Sequence, residues 1–152
     1  MNHATRTLIV VTSTVLLAAG LAACGADDSS ATPKDTTITV TLKEWEFVPS
    51  AASAPAGMIT LEAVNEGKEV HELVLFKTDL APADLPVDEE GAVDERGEGL
   101  ELIDEVEDVK PGETKSFMVD LAPGKYVMAC NVVENGERHF MNKMYKAFTV
   151  TG

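Results

Sequence analysis

A series of short segments rich in β-branched and apolar residues, several of which alternate polar with apolar, limits the fold of this chain more than any other feature. Alternation with a period of two is typical of β-strands that bury one face. Turns rich in proline and glycine separate the segments, which lie at residues 37–42, 58–64, 70–76, 115–121, 126–130 and 145–150. Short strands at this spacing predict an all-β domain, an antiparallel sandwich or barrel. We expect Trp45, Phe47 and Val48 to continue the first strand, and residues 54–57 to form a turn.

The first 24 residues have the pattern of an export signal that ends in a lipid attachment site. Arg6 is the only charged residue among residues 1–23, and a short apolar run follows it. The run ends in Leu-Ala-Ala-Cys at residues 21–24, which resembles the lipobox of bacterial lipoproteins. In that family the cysteine becomes the first residue of the mature protein and carries the lipid. We therefore expect a signal peptide over residues 1–23, a lipid on Cys24, and anchoring at the outer face of the bacterial cell membrane, in the envelope or periplasm.

Two alternatives remain for this terminus. It is either a plain secretory signal with an incidental cysteine, or an uncleaved anchor close to the lower length limit for a spanning helix. Residues 25–36 are small and polar, so residues 24–36 are expected to form a lipidated cysteine and a flexible tether before a domain at 37–152. After removal of the signal, His71 and His139 are the only histidines, and Cys130 is the only thiol without a lipid.

The acidic residues are concentrated in one segment of the chain. The sequence has 26 acidic and 12 basic residues and a formal charge of −14, which argues against nucleic acid as a partner. Thirteen of the acidic residues and a single basic one lie at 79–108, which we interpret as an acidic insertion on the rim of the sandwich. Leu100, Ile103 and Val106 recur every three residues, so this segment contains either a short helix or an edge strand. Its charge is either a solvated face or a surface that docks to a basic partner.

The histidines, the thiol and a methionine have a spacing that suits a metal site. Cys130 ends one predicted strand, His139 lies nine residues later in a loop, and Met144 precedes the last strand. His71 lies far upstream, at the start of another strand. Two imidazoles and a thiolate form a trigonal set, and a thioether adds a weak axial contact, which is the ligand set of blue copper. Met141 is the alternative axial ligand.

The residues around these ligands resemble the cupredoxin family over residues 37–152, least of all in the acidic insertion. The matching segments are Pro55-Ala56-Gly57-Met58-Ile59-Thr60, Asn65-Glu66-Gly67, Val70-His71-Glu72-Leu73, Leu121-Ala122-Pro123-Gly124-Lys125-Tyr126 and Ala147-Phe148-Thr149-Val150. The resemblance implies a Greek-key β-sandwich that binds one copper ion and transfers single electrons without being an enzyme. It also implies that His71, Cys130 and His139 are equatorial copper ligands and that Met144 is the axial one.

The chain departs from the family pattern at two points near the ligands. Eight residues separate Cys130 from His139, which is longer than the common loop of the family. Many electron carriers of the family have an asparagine after the first histidine, where it ties the two ligand loops together, and this chain has Glu72. A carboxylate at this position is compatible with a shifted potential or with another role.

Several functional alternatives follow from the same residues. The protein is expected to be a monomeric electron carrier whose partner is a redox or copper-handling protein at the membrane surface. The first alternative is copper storage, delivery or sensing. The second is a metal-free, cupredoxin-like accessory module of a membrane complex. A thiol nucleophile at Cys130 has no hydrolase signature around it, and a zinc site would leave the thioether without a role.

Overall fold

The computed structural model describes residues 36–152. The expected signal peptide, the lipidated Cys24 and nearly all of the tether lie outside the described residues, so these expectations stay predictions. Within residues 36–152, no helix has the length and apolar character needed to cross a membrane.

Eleven β-strands and one short 3₁₀ helix make up the regular structure of the described residues. In chain order the strands are β1 (Thr36–Lys43), β2 (Glu46–Pro49), β3 (Ser53–Pro55), β4 (Gly57–Asn65), β5 (His71–Lys77), β6 (Glu101–Val109), β7 (Thr114–Leu121), β8 (Gly124–Ala129), β9 (Val133–Glu134), β10 (Glu137–Arg138) and β11 (Tyr145–Thr151). The 3₁₀ helix is Pro82–Asp84.

Two sheets enclose one main core, as expected for a β-sandwich. One sheet has the strand order β2-β1-β4-β7 and the other β3-β11-β8-β5-β6, while β9 and β10 form a small separate pair. Alternate residues of β4 are buried, among them Ile59 and Leu61, and they join Leu73 and Phe148 of the other sheet in one apolar cluster. Burial of these side chains is the main source of stability for such a fold.

The sheets are mixed, whereas the sequence pattern predicted antiparallel pairing alone. β1 pairs with β4 in parallel, and β11 pairs with β3 in parallel. The parallel pairing of β11 arises in the region predicted as a turn at residues 54–57. Ser53–Pro55 instead forms a short strand that adds to the edge of the second sheet. The chain thus crosses from one sheet to the other and back between β2 and β4, which is the type of connection that a Greek-key sandwich contains.

Residues 37–48 form a hairpin and not the single continuous strand that the sequence predicted. β2 folds back antiparallel on β1, with Leu42 opposite Phe47 and a turn at Glu44 and Trp45. Both Leu42 and Phe47 are fully buried. A continuous strand would direct residues five apart to opposite faces, so only a reversal brings both of these side chains into the core. The hairpin tip, Glu44 and Trp45, extends to the end of the sandwich that holds the histidines.

The acidic segment divides into a loop and an edge strand. Residues 79–100 form the loop, which contains the 3₁₀ helix and one bridge between Val87 and Val93. Residues 101–109 form β6, which pairs with β5 at the edge of the larger sheet, so the structure contains the edge strand and not the short helix. The register of this pairing shifts at two places, between His71 and Leu73 and between Leu75 and Phe76, and at each of them β6 has an extra residue. Such a bulge changes the alternation of the strand, which explains the three-residue spacing of its apolar residues.

Candidate metal centre

His71 and Cys130 lie together because their strands are antiparallel neighbours. His71 is the first residue of β5, and Cys130 directly follows the last residue of β8. The start of one antiparallel strand meets the end of the other, so both side chains occur at the same end of the larger sheet. Buried Asn65 fixes the approach to His71 by donating to the carbonyls of Glu69 and Val109, at 2.7 Å each.

The loop that carries His139 is folded back against the same end of the sheet. The His139 backbone N–H donates to the carbonyl of Val132 at 3.0 Å. The Met144 N–H donates to the His139 carbonyl at 3.1 Å, and the Cys130 N–H donates to the Met144 carbonyl at 3.1 Å. These bonds close the loop and place His139 beside Cys130, nine positions earlier in the chain.

Three ligand atoms form a small triangle in the interior. His71 Nδ1 lies 3.1 Å from His139 Nδ1, and the Sγ atom of Cys130 lies 3.3 Å from His139 Nδ1 and 4.0 Å from His71 Nδ1. A point in their plane is about 2 Å from all three atoms, which is the length of a metal–imidazole bond. The side chains of all three residues are buried. Two imidazoles and a thiol in this arrangement fit a type 1 copper ion.

Met144 and Met141 differ sharply in their surroundings. Met144 is fully buried in the same apolar cluster as Cys130, and its backbone bonds to Cys130 and to His139. Met141 is 54% exposed. The burial of Met144 agrees with a place beside the centre, and its role as axial ligand stays a prediction.

Burial shifts the pKa values of the three residues of the centre toward their neutral forms. It raises the pKa of the Cys130 thiol to about 12, because a thiolate in an apolar interior loses its hydration. Burial likewise lowers the pKa of His71 and of His139, although carboxylates near both rings oppose this change. A thiol of this kind loses its proton when a cation is bound to its sulfur. Binding of a metal ion at this sulfur would therefore be coupled to release of the thiol proton.

Two acidic residues contact the ring nitrogens opposite the ligand atoms. Glu44 Oε1 lies 3.3 Å from His71 Nε2, and Glu69 Oε2 lies 3.4 Å from His139 Nε2. Burial acts to raise the pKa of Glu44, but hydrogen bonds from the backbone N–H groups of Glu69 and Lys68 outweigh it, and the pKa falls to about 2. Glu44 is therefore an anion wherever the protein is folded at ordinary pH.

The hairpin tip covers the histidines. The Trp45 ring packs edge-on against His139 with ring centroids 4.6 Å apart, and against His71 at 6.4 Å. His71 is 0% and His139 is 1% exposed, so neither ring reaches solvent directly.

This chain matches the model of a known protein family over most of its length. The family model of the cupredoxin-like domain matches residues 13–139. This chain belongs to the cupredoxin-like family. No curated protein sequence matches it significantly.

Solved structures share the cupredoxin fold of this chain. Auracyanin from the photosynthetic bacterium Roseiflexus castenholzii has 21% identity and a TM-score of 0.57, over 78% of this chain and 98% of its own. Auracyanin A, a "blue" copper protein from Chloroflexus aurantiacus, has 19% identity and a TM-score of 0.53, over 78% and 100%. Rusticyanin has 15% identity and a TM-score of 0.51, over 79% and 81%. At these identities the likeness shows the fold.

Glu72 links the two ligand segments of this cupredoxin. Its carboxylate accepts a hydrogen bond from the backbone N–H of Asn131, and its own N–H points to the sulfur of Cys130 at 3.5 Å. Burial raises the pKa of Glu72 to about 7, the hydrogen bond from Asn131 opposes the rise, and the carboxylates of Glu105 and Glu107 add to it. The carboxylate thus makes the connection that the family resemblance ascribes to an asparagine.

The acidic loop of this cupredoxin is attached to the ligand loop. The Asn131 side chain accepts from the backbone N–H of Val93 at 3.0 Å and donates to the Val93 carbonyl at 3.3 Å. Val93 and Phe140 are buried in the same small apolar cluster, which also contains Ala129. The loop is therefore part of the metal-site end of the domain.

The sequence pattern did not identify Glu44, Trp45 or Glu69 as site residues. One signal was present, because continued alternation after Leu42 would have placed the charged side chain of Glu44 in the core. This conflict indicates a turn at that position. The contacts of Glu69 depend on the path of the loop before His71, which has no local signature.

Proposed function

We propose that this cupredoxin binds one copper ion through His71, Cys130 and His139, with Met144 as the axial ligand, and exchanges single electrons with protein partners. The observation that supports this function best is the triangle of two Nδ1 atoms and one Sγ atom at the buried end of the sandwich. Copper held there would supply a one-electron couple between Cu(II) and Cu(I).

The chain contributes a rigid and dry ligand set. Cys130 and His71 belong to the ends of paired strands, and three backbone hydrogen bonds fix the loop with His139 and Met144. The ligand atoms lie close together in a frame of paired strands and backbone hydrogen bonds, so electron exchange would require little rearrangement. Burial of both histidines under the hairpin tip leaves a substrate little access, which favours a carrier over an enzyme.

The visible spectrum after addition of Cu(II) to the purified metal-free protein tests the proposed site. We expect an intense blue or green colour from charge transfer between the Cys130 thiolate and copper, saturating at one ion per chain. Cys130→Ser serves as the matched control, since it removes the sulfur with little change in volume, and the colour should be lost. A colourless wild-type protein, or colour in the Cys130→Ser variant, would contradict the assignment.

Copper delivery or storage is the second candidate. The long ligand loop favours it, because its residues 133–138 are all exposed and could open to transfer the ion to another protein. Electron self-exchange measured by NMR line broadening separates the candidates. Fast exchange supports the carrier, whereas tight Cu(I) binding with slow exchange supports delivery.

We also propose that this protein is exported and lipid-anchored at the outer side of a bacterial membrane. There it meets a partner with a basic face. The export signal and the Leu-Ala-Ala-Cys sequence at residues 21–24 support the anchor. The attachment of the acidic loop to the ligand loop supports docking near the metal. Mass spectrometry of the mature N-terminus checks the anchor, which requires a lipidated Cys24 as first residue.

A further inference from the structure

Both histidines of the metal centre have a carboxylate at the ring nitrogen opposite the ligand atom. Glu44 Oε1 lies 3.3 Å from His71 Nε2, and Glu69 Oε2 lies 3.4 Å from His139 Nε2. The Glu44 side chain is 27% exposed and the Glu69 side chain is 45% exposed, so water screens Glu69 more.

Glu44 is held in place by the backbone before His71. Its Oε1 atom accepts hydrogen bonds from the N–H groups of Lys68 at 2.6 Å and of Glu69 at 2.9 Å. The hairpin tip is thereby fixed to the loop that leads into β5. Because Glu44 holds the backbone of Glu69, the two carboxylates belong to one hydrogen-bonded unit above both imidazoles.

This placement favours a proton on His71 Nε2. An anionic carboxylate at Nε2 requires an N–H there, which leaves Nδ1 as a lone pair facing His139 and Cys130. A carboxylate on the outer nitrogen also makes the imidazole a more basic ligand. The interaction energy of a fixed negative charge with a metal ion grows with the ion's charge, so it is larger for Cu(II) than for Cu(I).

We propose that Glu44 and Glu69 are positioning residues that orient the two histidine ligands and, by their negative charge, favour Cu(II) over Cu(I) at this centre. The inference rests on the proposed copper site. The two residues thereby lower the reduction potential of the protein.

Glu44→Gln tests this inference, because the amide oxygen still accepts from Lys68 and Glu69 while the charge is lost. The ratio of Cu(II) affinity to Cu(I) affinity should fall about tenfold, the lower end of the effect of such partners on metal binding. This fold-change equals a rise of about 59 mV in the potential of a one-electron couple. Voltammetry and competition with Cu(I) and Cu(II) chelators measure both quantities.

Glu46→Gln is the matched control. It removes an equal charge from an exposed position on the same hairpin. Its potential should stay close to that of the wild-type protein. Glu69→Gln should raise the potential by less than Glu44→Gln does, and it tests the inference independently if the Glu44 variant does not fold.

A metal-free measurement checks the orienting role. Nitrogen-15 NMR of the histidine rings in the apo protein should show His71 protonated on Nε2. A His71 ring protonated on Nδ1 alone would overturn that role. Potentials of Glu44→Gln and Glu69→Gln that match Glu46→Gln would overturn the role of the charge. A wild-type protein without blue copper would instead contradict the proposed function, so the two failures are distinct.

Discussion

At the scale of single residues, burial distinguishes the sulfur-containing side chains at the ligand end of the domain. Cys130 and Met144 are both fully buried and belong to one apolar cluster, whereas Met141 is largely exposed. A thioether stabilises a soft metal only if it is held close and kept from water. Burial therefore favours Met144 where the sequence spacing left Met141 as an alternative.

Met144→Leu should retain copper but change its colour and potential, since the equatorial ligands remain and the axial sulfur is lost. Met141→Leu, the control, should leave both unchanged. The Met144 exchange conserves volume in the core, so its cost in stability should stay below about 1.5 kcal/mol. Visible spectra and voltammetry of the two variants check this. A change of colour in the Met141 variant alone would reverse the axial assignment.

At the scale of elements, the edge strand β6 concentrates acidic side chains near the ligand end. Burial raises the pKa of Glu105, and the carboxylates of Glu95, Glu107 and Asp104 raise it further. Charged side chains on an edge strand also hinder pairing with the strands of other molecules. This element thus combines a stability cost with protection against aggregation.

Glu105→Gln should stabilise the metal-free protein at pH 8 by less than about 1 kcal/mol, the range of like-charge pairs in sheets. The pKa of Glu105 is higher in the folded state than in the unfolded state, so the folded state binds this proton more tightly. The stability of the wild-type protein therefore falls as pH rises from the ordinary glutamate pKa through the raised pKa of Glu105. At pH 4 and below, where Glu105 is protonated in both states, the stability gained by Glu105→Gln should vanish. Urea denaturation at both pH values measures it, with exposed Glu89→Gln as the control. Equal stability of Glu105→Gln and wild type at pH 8 would contradict the crowding of carboxylates.

The sequence predicted the elements better than their pairing. The sequence identifies His71, Cys130 and His139 as one cluster because the chain has so few histidines and cysteines, and these three lie at or near the ends of predicted strands. The hairpin turn at Glu44 was missed, since the apolar residues on both sides of it look like one strand. The parallel partner of β11 was missed as well, because three residues of β3 have no periodicity to detect.

At the scale of the whole molecule, the acidic charge is distributed unevenly. The acidic loop is hydrogen-bonded to Asn131 of the ligand loop, so its negative charge lies at the metal-site end of the sandwich. A cleft or face of one sign attracts partners of the other sign over distances of several ångströms. The predicted docking face is therefore the end of the domain that holds the centre.

Electron exchange with small metal complexes should depend on their charge. At low ionic strength a cationic complex should react about tenfold faster than an anionic one of similar potential, because the acidic surface attracts it. Added salt should remove most of this difference, since the Debye length falls to about 8 Å at 0.15 M. Stopped-flow absorbance of the copper band follows the reaction. Equal rates at low salt would indicate a solvated acidic face without a role in docking.

The hairpin tip and the ligand loop are far apart in the sequence of the domain. Glu44 and Trp45 follow the first strand, and His139 precedes the last one, yet they meet over the same metal centre. Metal binding is consequently coupled to completion of the entire sandwich, and ligand that binds only the native state stabilises it by mass action. Occupancy of the centre by a metal ion therefore reports that segments far apart in the sequence have come together.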